Sequence, residues 1–366
     1  MFEFKPDYEK SFQRTQAFWE RALIDRPLVE FFLEKPPEEQ VPYPPSHHQT
    51  PAERWLDVHY QAEWNLAAAQ NRAFLGDSMP VAYPNLGPEV FSALYGCPLH
   101  FGDYGTSWSD PILTDWVEAD QISLDWDHPY LKKLYELTEA FLEIGKGKFI
   151  TGMTDWHAGG DCLAAFRDPQ NLAVDMLNRQ DEIKTLLRRV TDDYFTIYNM
   201  FYDKLKAAGQ PISSWLALVN DSKYYIPSND FSIMISNKMF EEVFLPGLVE
   251  ECQFLDHSIY HLDGPGALRH LDSILSIPEL DALQFVPGAG NEVFSRWIDV
   301  YRRAQGAGKG IQVLCSINEV GEVMETLSPR GLFLSVSGVT SREVANELLK
   351  RLEKWCARLA RFGQDK

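Results

Sequence analysis

The chain predicts a closed parallel (β/α)8 barrel, a TIM barrel, built as one α/β domain over residues 1–366 with an elaborated N-terminal region. Two observations carry this expectation. From about residue 130 onward, short apolar runs alternate with long amphipathic stretches, the sequence sign of repeated strand and helix units. The runs are apolar on both faces, as strands covered by helices must be, and no GxGxxG follows the first of them to suggest an open dinucleotide-binding sheet.

Six strands are placed by pattern, 149–153 (FITGM), 215–220 (WLALVN), 258–263 (SIYHLD), 282–286 (ALQFV), 310–315 (GIQVLC) and 331–336 (GLFLSV), and the earlier runs 27–34 (PLVEFFLE) and 81–85 (VAYPN), as candidates for two more, bring the count to eight. Pro84 makes the second irregular. Helical patterns fill the intervals at 171–208, in at least two pieces, and at 237–255, 266–276, 291–305, 318–327 and 341–362. Each starts near Ser, Asn, Asp or Gly, residues that cap helix N-termini. The stretch 35–128 is rich in Pro and Trp and reads as an irregular insertion around the second barrel unit, with 35–50 as a surface loop.

Composition narrows the function classes. Apolar residues make up 45% and charged residues 24%, enough to bury a full core. A formal charge of −19 opposes nucleic acid and anionic membrane surfaces, whose binding rests on Lys and Arg, so neither is an expected partner. The cysteines, Cys97, Cys162, Cys252, Cys315 and Cys356, form no CxxC pair, which suits a reducing, cytoplasmic setting. The start of the chain has no apolar signal core, and no stretch approaches the roughly 20 apolar residues of a membrane helix. A homodimer is the default assembly expected of a soluble enzyme.

In such barrels the reactive groups stand at the C-terminal ends of strands. That rule selects Asn85, then Asp155, Trp156, His157 and Asp161, then Asn220 with Asp221, then His261 with Asp263, then Gln284, Cys315 with Ser316, and Ser335 with Ser337. His261 and Asp263 are two apart on a strand and point the same way. Metal ligation by His261 and Asp263, with Cys315 as third ligand for a divalent ion such as zinc, is one meaning; acid–base work with a carboxylate-tuned imidazole is another; a structural pair closing the barrel top is the third. In TDWHAGGDCL (154–163), Gly159 and Gly160 either free backbone N–H groups for an anion or form a cap and tight turn. The tract NDSKYYIPSND (220–230) offers Tyr224 and Tyr225 as flat surface for a ring-shaped ligand, with Asp230 nearby.

The order FSIMIS-NKMFEEVFLPGLVEE, IYHLDG, LDALQFVPGAG and GLFLSVSG resembles the uroporphyrinogen decarboxylase superfamily, over about 149–362. The Asp25-Arg26-Pro27 segment before the first strand also fits that family's start. The resemblance implies a (β/α)8 barrel and two kinds of chemistry, decarboxylation or methyl transfer to or from cobalamin carried by a separate corrinoid protein. The decarboxylases carry arginines after the first strand for substrate carboxylates, and 29–45 here has none. The methyltransferases typically carry a zinc site of His-x-Cys plus a distant Cys. By resemblance His261 matches the His, Asp263 stands in place of the first Cys, and Ser337 falls near the second.

The reading that results is a corrinoid-linked methyltransferase acting on a small O- or N-methylated substrate without the usual thiolate zinc site. His261, Asp263, Asp155 and His157 are its expected catalytic groups, and Trp108, Trp156, Asn220, Tyr224, Tyr225, Asp230, Gln284 and Ser337 its expected substrate contacts. A lyase acting on a small carboxylate and a barrel that binds without catalysis are the alternatives.

Overall fold

The computed structural model describes residues 2–103 and 105–362, with side chains to 359. Ten strands occur among them: β1 (Leu28–Phe31), β2 (Val81–Ala82), β3 (Leu99–Phe101), β4 (Ser107–Ser109), β5 (Ile150–Thr151), β6 (Tyr224–Tyr225), β7 (His257–Asp263), β8 (Ala282–Val286), β9 (Gly310–Ser316) and β10 (Leu332–Ser337). Six form one curled parallel sheet in the order β1-β10-β9-β8-β7-β6. β2 and β5 form a separate parallel ladder, and β3 and β4 an antiparallel hairpin within the insertion.

The expected eight-stranded ring is therefore not one continuous ladder. At the β1 edge, irregular backbone and side chains take over from a neighbouring strand. Asp77 N–H donates to the Val29 carbonyl (2.6 Å), and Phe31 N–H donates to Ser78 Oγ (2.8 Å). Beyond β5, Met153 N–H donates to the Ser213 carbonyl (2.7 Å).

The fourth predicted strand moves. Residues 215–220 form no strand; Asn220 pairs with Ile212 in a tight antiparallel bridge, and the pairing strand is β6, followed by a single parallel bridge from Ser228 to His261. Buried Ser213 and Ser214 satisfy carbonyls of Leu218 and Met153, so this largely buried run is held without a ladder. A short apolar run has no periodicity that separates those two outcomes.

The longest helix before the C-terminal one, Gln180–Ala207, buries Ile183, Leu187, Val190, Tyr194, Ile197, Tyr198, Phe201 and Leu205, a stripe at three- and four-residue spacing. Its Tyr198 hydroxyl accepts from Tyr224 N–H and donates to the Tyr224 carbonyl, both at 3.0 Å, which pins the short β6. The insertion contributes helices Pro51–Leu56 and Val58–Asn71, the first closed by a capping box between Thr50 and Glu53. No helix among the described residues is long and apolar enough to cross a membrane.

Ahead of β1, a buried charge cluster fixes the first helix, Tyr8–Trp19, against the sheet edge. Asp77, fully buried, receives Arg26 (2.5 Å), Arg14 (3.2 Å) and the Val29 amide (2.9 Å), while Arg14 also grips Asp25 through two bonds. Next to it Gly76 has φ +62, and a Cβ there would lie 2.7 Å from the Val29 carbonyl oxygen, so the close approach requires glycine. Removing the anion would leave two buried guanidiniums without their shared partner. Asp77→Asn is expected to destabilise the fold by about 3–5 kcal/mol, read as a fall in the urea midpoint with unchanged slope. A loss under about 1 kcal/mol would show the cluster to be dispensable.

Candidate functional site

Parallel strands place their C-terminal ends at one rim, and the loops there bring together groups from three segments: Asp155, His157 and Asp161 after β5, Asp230 after β6, and His261 with Asp263 at the end of β7. The helix Gly159–Arg167 starts at this rim, with Gly159 at φ +67. Gly160 does not open an anion site. A Cβ there would sit 2.5 Å from Asn229 Oδ1, so its role is to let the helix pack against the 229–231 turn. Asp161, in the helix's first turn, reaches across that contact and accepts from the Phe231 amide (2.8 Å) and the Asp230 amide (3.1 Å), locking the two loops together.

His157 lies between carboxylates. Its Nε2 is 3.3 Å from Asp155 Oδ1, and its Nδ1 is 3.9 Å from Asp161 Oδ2, too far for a hydrogen bond. Burial opposes a charge on the ring, yet the bond to Asp155 and the charges of Asp155, Asp161 and Asp230 outweigh it and push the imidazole up to about 9. It is therefore an imidazolium at neutral pH, with Nε2–H anchored and Nδ1–H free. Asp230 is pushed up to about 6, first by desolvation, then by Asp161, against the pull of His261 and His157. His157, Asp161 and Asp230, with Glu89, Asp168 and Phe231, line a cavity of about 510 Å³.

A second cavity of the same 510 Å³ lies beside the β2 end, walled by Trp55, Tyr60 and Trp64 from the insertion and by Tyr83 and Asn85. Tyr83 links the two regions: burial and then the negative charge of Asp155 both oppose ionisation of its phenol. Of these wall residues only Asn85 stands at a predicted strand end. Trp55, Tyr60 and Trp64 sit on helices within a stretch that sequence patterning left irregular, and the available signal was their aromatic spacing.

His261 points to the same face as Asp263 but makes no bond with it. Its Nδ1 is 2.5 Å from Gln284 Oε1, and Trp215 meets its ring edge to face at 5.3 Å. Asp263 is exposed. Cys315 cannot join them as a third ligand. On β9 it has the opposite parity from Gln312, whose side chain bonds Gln284, so its thiol faces the outer helices near Tyr301. Burial holds that thiol up at about 12, far from thiolate. Hence His261, Asp263 and Cys315 do not fit a zinc site. Among the described residues the group with ligand atoms within 4.8 Å of one another is His157, Asp161 and Asp230, where an ion would have to displace the proton that the carboxylates hold on His157.

The expected aromatic wall is elsewhere too. Tyr224 and Tyr225 are core residues, the Tyr225 hydroxyl bonding the Thr154 carbonyl (2.9 Å) and the Trp156 amide, and Trp156 is buried against Phe91 and Phe201. They support the rim from beneath. Asn220 lies four residues before β6 in a tight turn, accepting from the Asp221 amide (2.7 Å), at the sheet end away from the rim. Trp108 is half-exposed on the β3–β4 hairpin and stacks on His100. Ser337 is exposed at the β10 end, its hydroxyl 3.4 Å from the Cys315 carbonyl.

No family model and no curated protein matches the chain. Among solved structures, a methyltransferase from Methanosarcina mazei is similar over 94% of this chain and 99% of its own, with a TM-score of 0.59 and 12% identity. The likeness is one of fold.

The His157 geometry makes stability depend on pH. Its folded value of about 9 stands above the unfolded 6.5, so its contribution is complete below pH 6.5 and is lost as pH rises toward 9. Urea unfolding at a series of pH values should show this decline, and His157→Gln should flatten it; an identical slope in the variant would contradict the assignment.

Proposed function

We propose that the chain is a methyltransferase-type barrel enzyme that releases a methyl group from a small O- or N-methylated donor, working with a corrinoid protein as methyl acceptor. The two short parallel elements and the six-stranded sheet are read as one interrupted (β/α)8 barrel whose rim is the active site. The observation that carries the reading is the clamped imidazolium: His157 is held by Asp155 through one nitrogen and offers the other N–H at a cavity wall. The fold likeness to a methyltransferase supports the same class.

Methyl transfer breaks a carbon–heteroatom bond, and the electron pair stays on the heteroatom. A neutral ether or amine is a poor leaving group unless a proton arrives with that pair. When bound, the partner's corrinoid supplies the nucleophile. This chain's part is to orient the donor and to deliver the proton. His157 Nδ1–H is the donor, Asp155 keeps the ring charged and oriented, and the two backbone amides on Asp161 keep that carboxylate from taking the proton itself. The acidic rim of Asp155, Asp161, Asp230 and Asp263 repels carboxylates, which weighs against a lyase acting on a small acid. It favours methyl donors that are neutral or cationic. We place the methyl donor in the cavity that His157 lines.

The test is methyl transfer from a panel of methyl ethers and methylamines to Co(I) corrinoid, followed by visible absorbance. His157→Gln should lower kcat by about 10²–10⁴-fold with KM little changed, as for loss of a general acid. In the wild type, kcat should fall as pH rises through about 9, where His157 gives up its proton. Full activity in His157→Gln, or turnover without any methyl donor, would remove the basis of this reading.

A further inference from the structure

The inner face of the sheet carries a row of polar side chains that ordinary barrel packing does not need. Glu30 on β1, Ser335 on β10, Gln312 on β9 and Gln284 on β8 are all buried, and the row ends at His261 on β7. Strand register pairs Glu30 with Ser335, Gln284 with Gln312, and His261 with Gln284, while Ser335 is in register with Leu314, two residues on from Gln312 and on the same face. The Ser335 hydroxyl donates to Glu30 Oε1. The Gln312 amide donates to Ser335 Oγ (2.8 Å) and to Glu30 Oε1 (3.3 Å), the Gln284 amide donates to Gln312 Oε1 (2.5 Å), and His261 Nδ1 meets Gln284 Oε1 (2.5 Å).

The direction of these bonds is set from one end. An ionised carboxylate only accepts, so Gln312 must turn its NH2 toward Glu30 and its oxygen toward Gln284. Gln284 must then donate to Gln312 and present its own oxygen to His261. An amide oxygen also only accepts, so His261 Nδ1 must carry a hydrogen, and in the neutral ring Nε2 is left with a lone pair. We propose that Glu30 is a positioning residue for the rim, acting through Gln312 and Gln284 to hold His261 as the Nδ1–H tautomer with Nε2 as an acceptor.

The proposal rests on the rim being the reactive site, but its geometry stands apart from the methyl chemistry. It gives the two rim histidines opposite roles. His157 brings a proton, while His261 presents Nε2 as a hydrogen-bond acceptor at the same rim. Desolvation pushes the Glu30 carboxyl up to about 7, against the Ser335 bond, the Arg72 charge and the Gln312 bond, so the constraint is firmest in mildly alkaline solution. Tyr224 also faces this charge, and its phenol stays neutral there.

The test reads the tautomer directly. In protein labelled with 15N-histidine, long-range couplings from the carbon-bound ring protons identify each ring nitrogen, and His261→Asn assigns the signals. In mildly alkaline solution, where Glu30 is ionised, the wild type should show Nδ1 in the protonated range and Nε2 in the unprotonated range. Glu30→Gln accepts as well as donates, so it should let the row invert and draw the two His261 shifts together. Gln312→Met, which cuts the row without adding charge, should do the same. His257, bound to Asp281 outside the row, is the internal control and should not move.

A wild-type His261 found as Nε2–H would overturn the proposal. So would either folded variant with His261 shifts identical to wild type. The wild-type spectrum alone decides if a variant fails to fold. Absence of methyl transfer in the wild type would count against the proposed function and leave the tautomer result standing.

Discussion

A polar row on the inner face of a parallel sheet can exist only if every donor and acceptor in it finds a partner inside the protein, because no β-ladder bond is available to side chains. Glu30, Ser335, Gln312, Gln284 and His261 are bonded in series, each to the next. The condition in turn fixes the sheet. Slipping any of β1, β10, β9, β8 or β7 by one residue would turn its polar group toward the outer helices and leave its neighbours buried without partners. Register, usually secured by apolar alternation, is here secured by a chain of hydrogen bonds that also reaches the rim.

The same molecule avoids ladders where it can use side chains instead. At the β1 edge Asp77 and Ser78 take the amides of Val29 and Phe31, and at β6 the Tyr198 hydroxyl takes both groups of Tyr224. Each replacement shortens a strand and frees the following residues to form loops. The rim is built from those freed segments. Asp155, His157 and Asp161 follow the two-residue β5, and Asp230 follows the two-residue β6, whereas the long strands β7 to β10 supply the rigid inner row. A stiff half holds His261, and a looped half holds His157.

Much of this was written in the sequence as pattern. The apolar runs at 258–263, 282–286, 310–315 and 331–336 correspond to β7–β10 within a residue or two, because a strand buried on both faces leaves little room for another reading. The run at 215–220 was not separable from a strand by hydrophobicity, since Ser213 and Ser214 satisfy its neighbours through hydroxyls that pattern does not weigh. Strand-end position brought out His261 and His157, yet it also suggested Cys315, where counting parity from Gln312 would have turned the thiol outward. Tyr224 and Tyr225 looked like ligand surface because their tract is polar, and the two-residue strand that buries them carries no period. The inner row did leave a signal: single polar residues inside apolar runs, Glu30 in PLVEFFLE, Gln284 in ALQFV, Gln312 in GIQVLC and Ser335 in GLFLSV. A lone Gln within a buried strand is costly unless bonded, and four of the strands carry such a residue.

The rim holds its two imidazoles by different means. His157 is charged despite burial because carboxylates surround it, through the bond to Asp155 first and then through the charges of Asp155, Asp161 and Asp230. His261 is oriented by a directional bond to a neutral amide, which selects a ring nitrogen without adding charge. Exchanging the two devices would defeat both: a carboxylate at position 284 would draw a proton onto His261 and remove its lone pair, and an amide at position 155 would leave His157 to the desolvation that disfavours its charge. The two rings thus stand at one rim under separate control, because the charge that holds the proton on His157 comes from the loops, and the bond that directs His261 comes from the sheet.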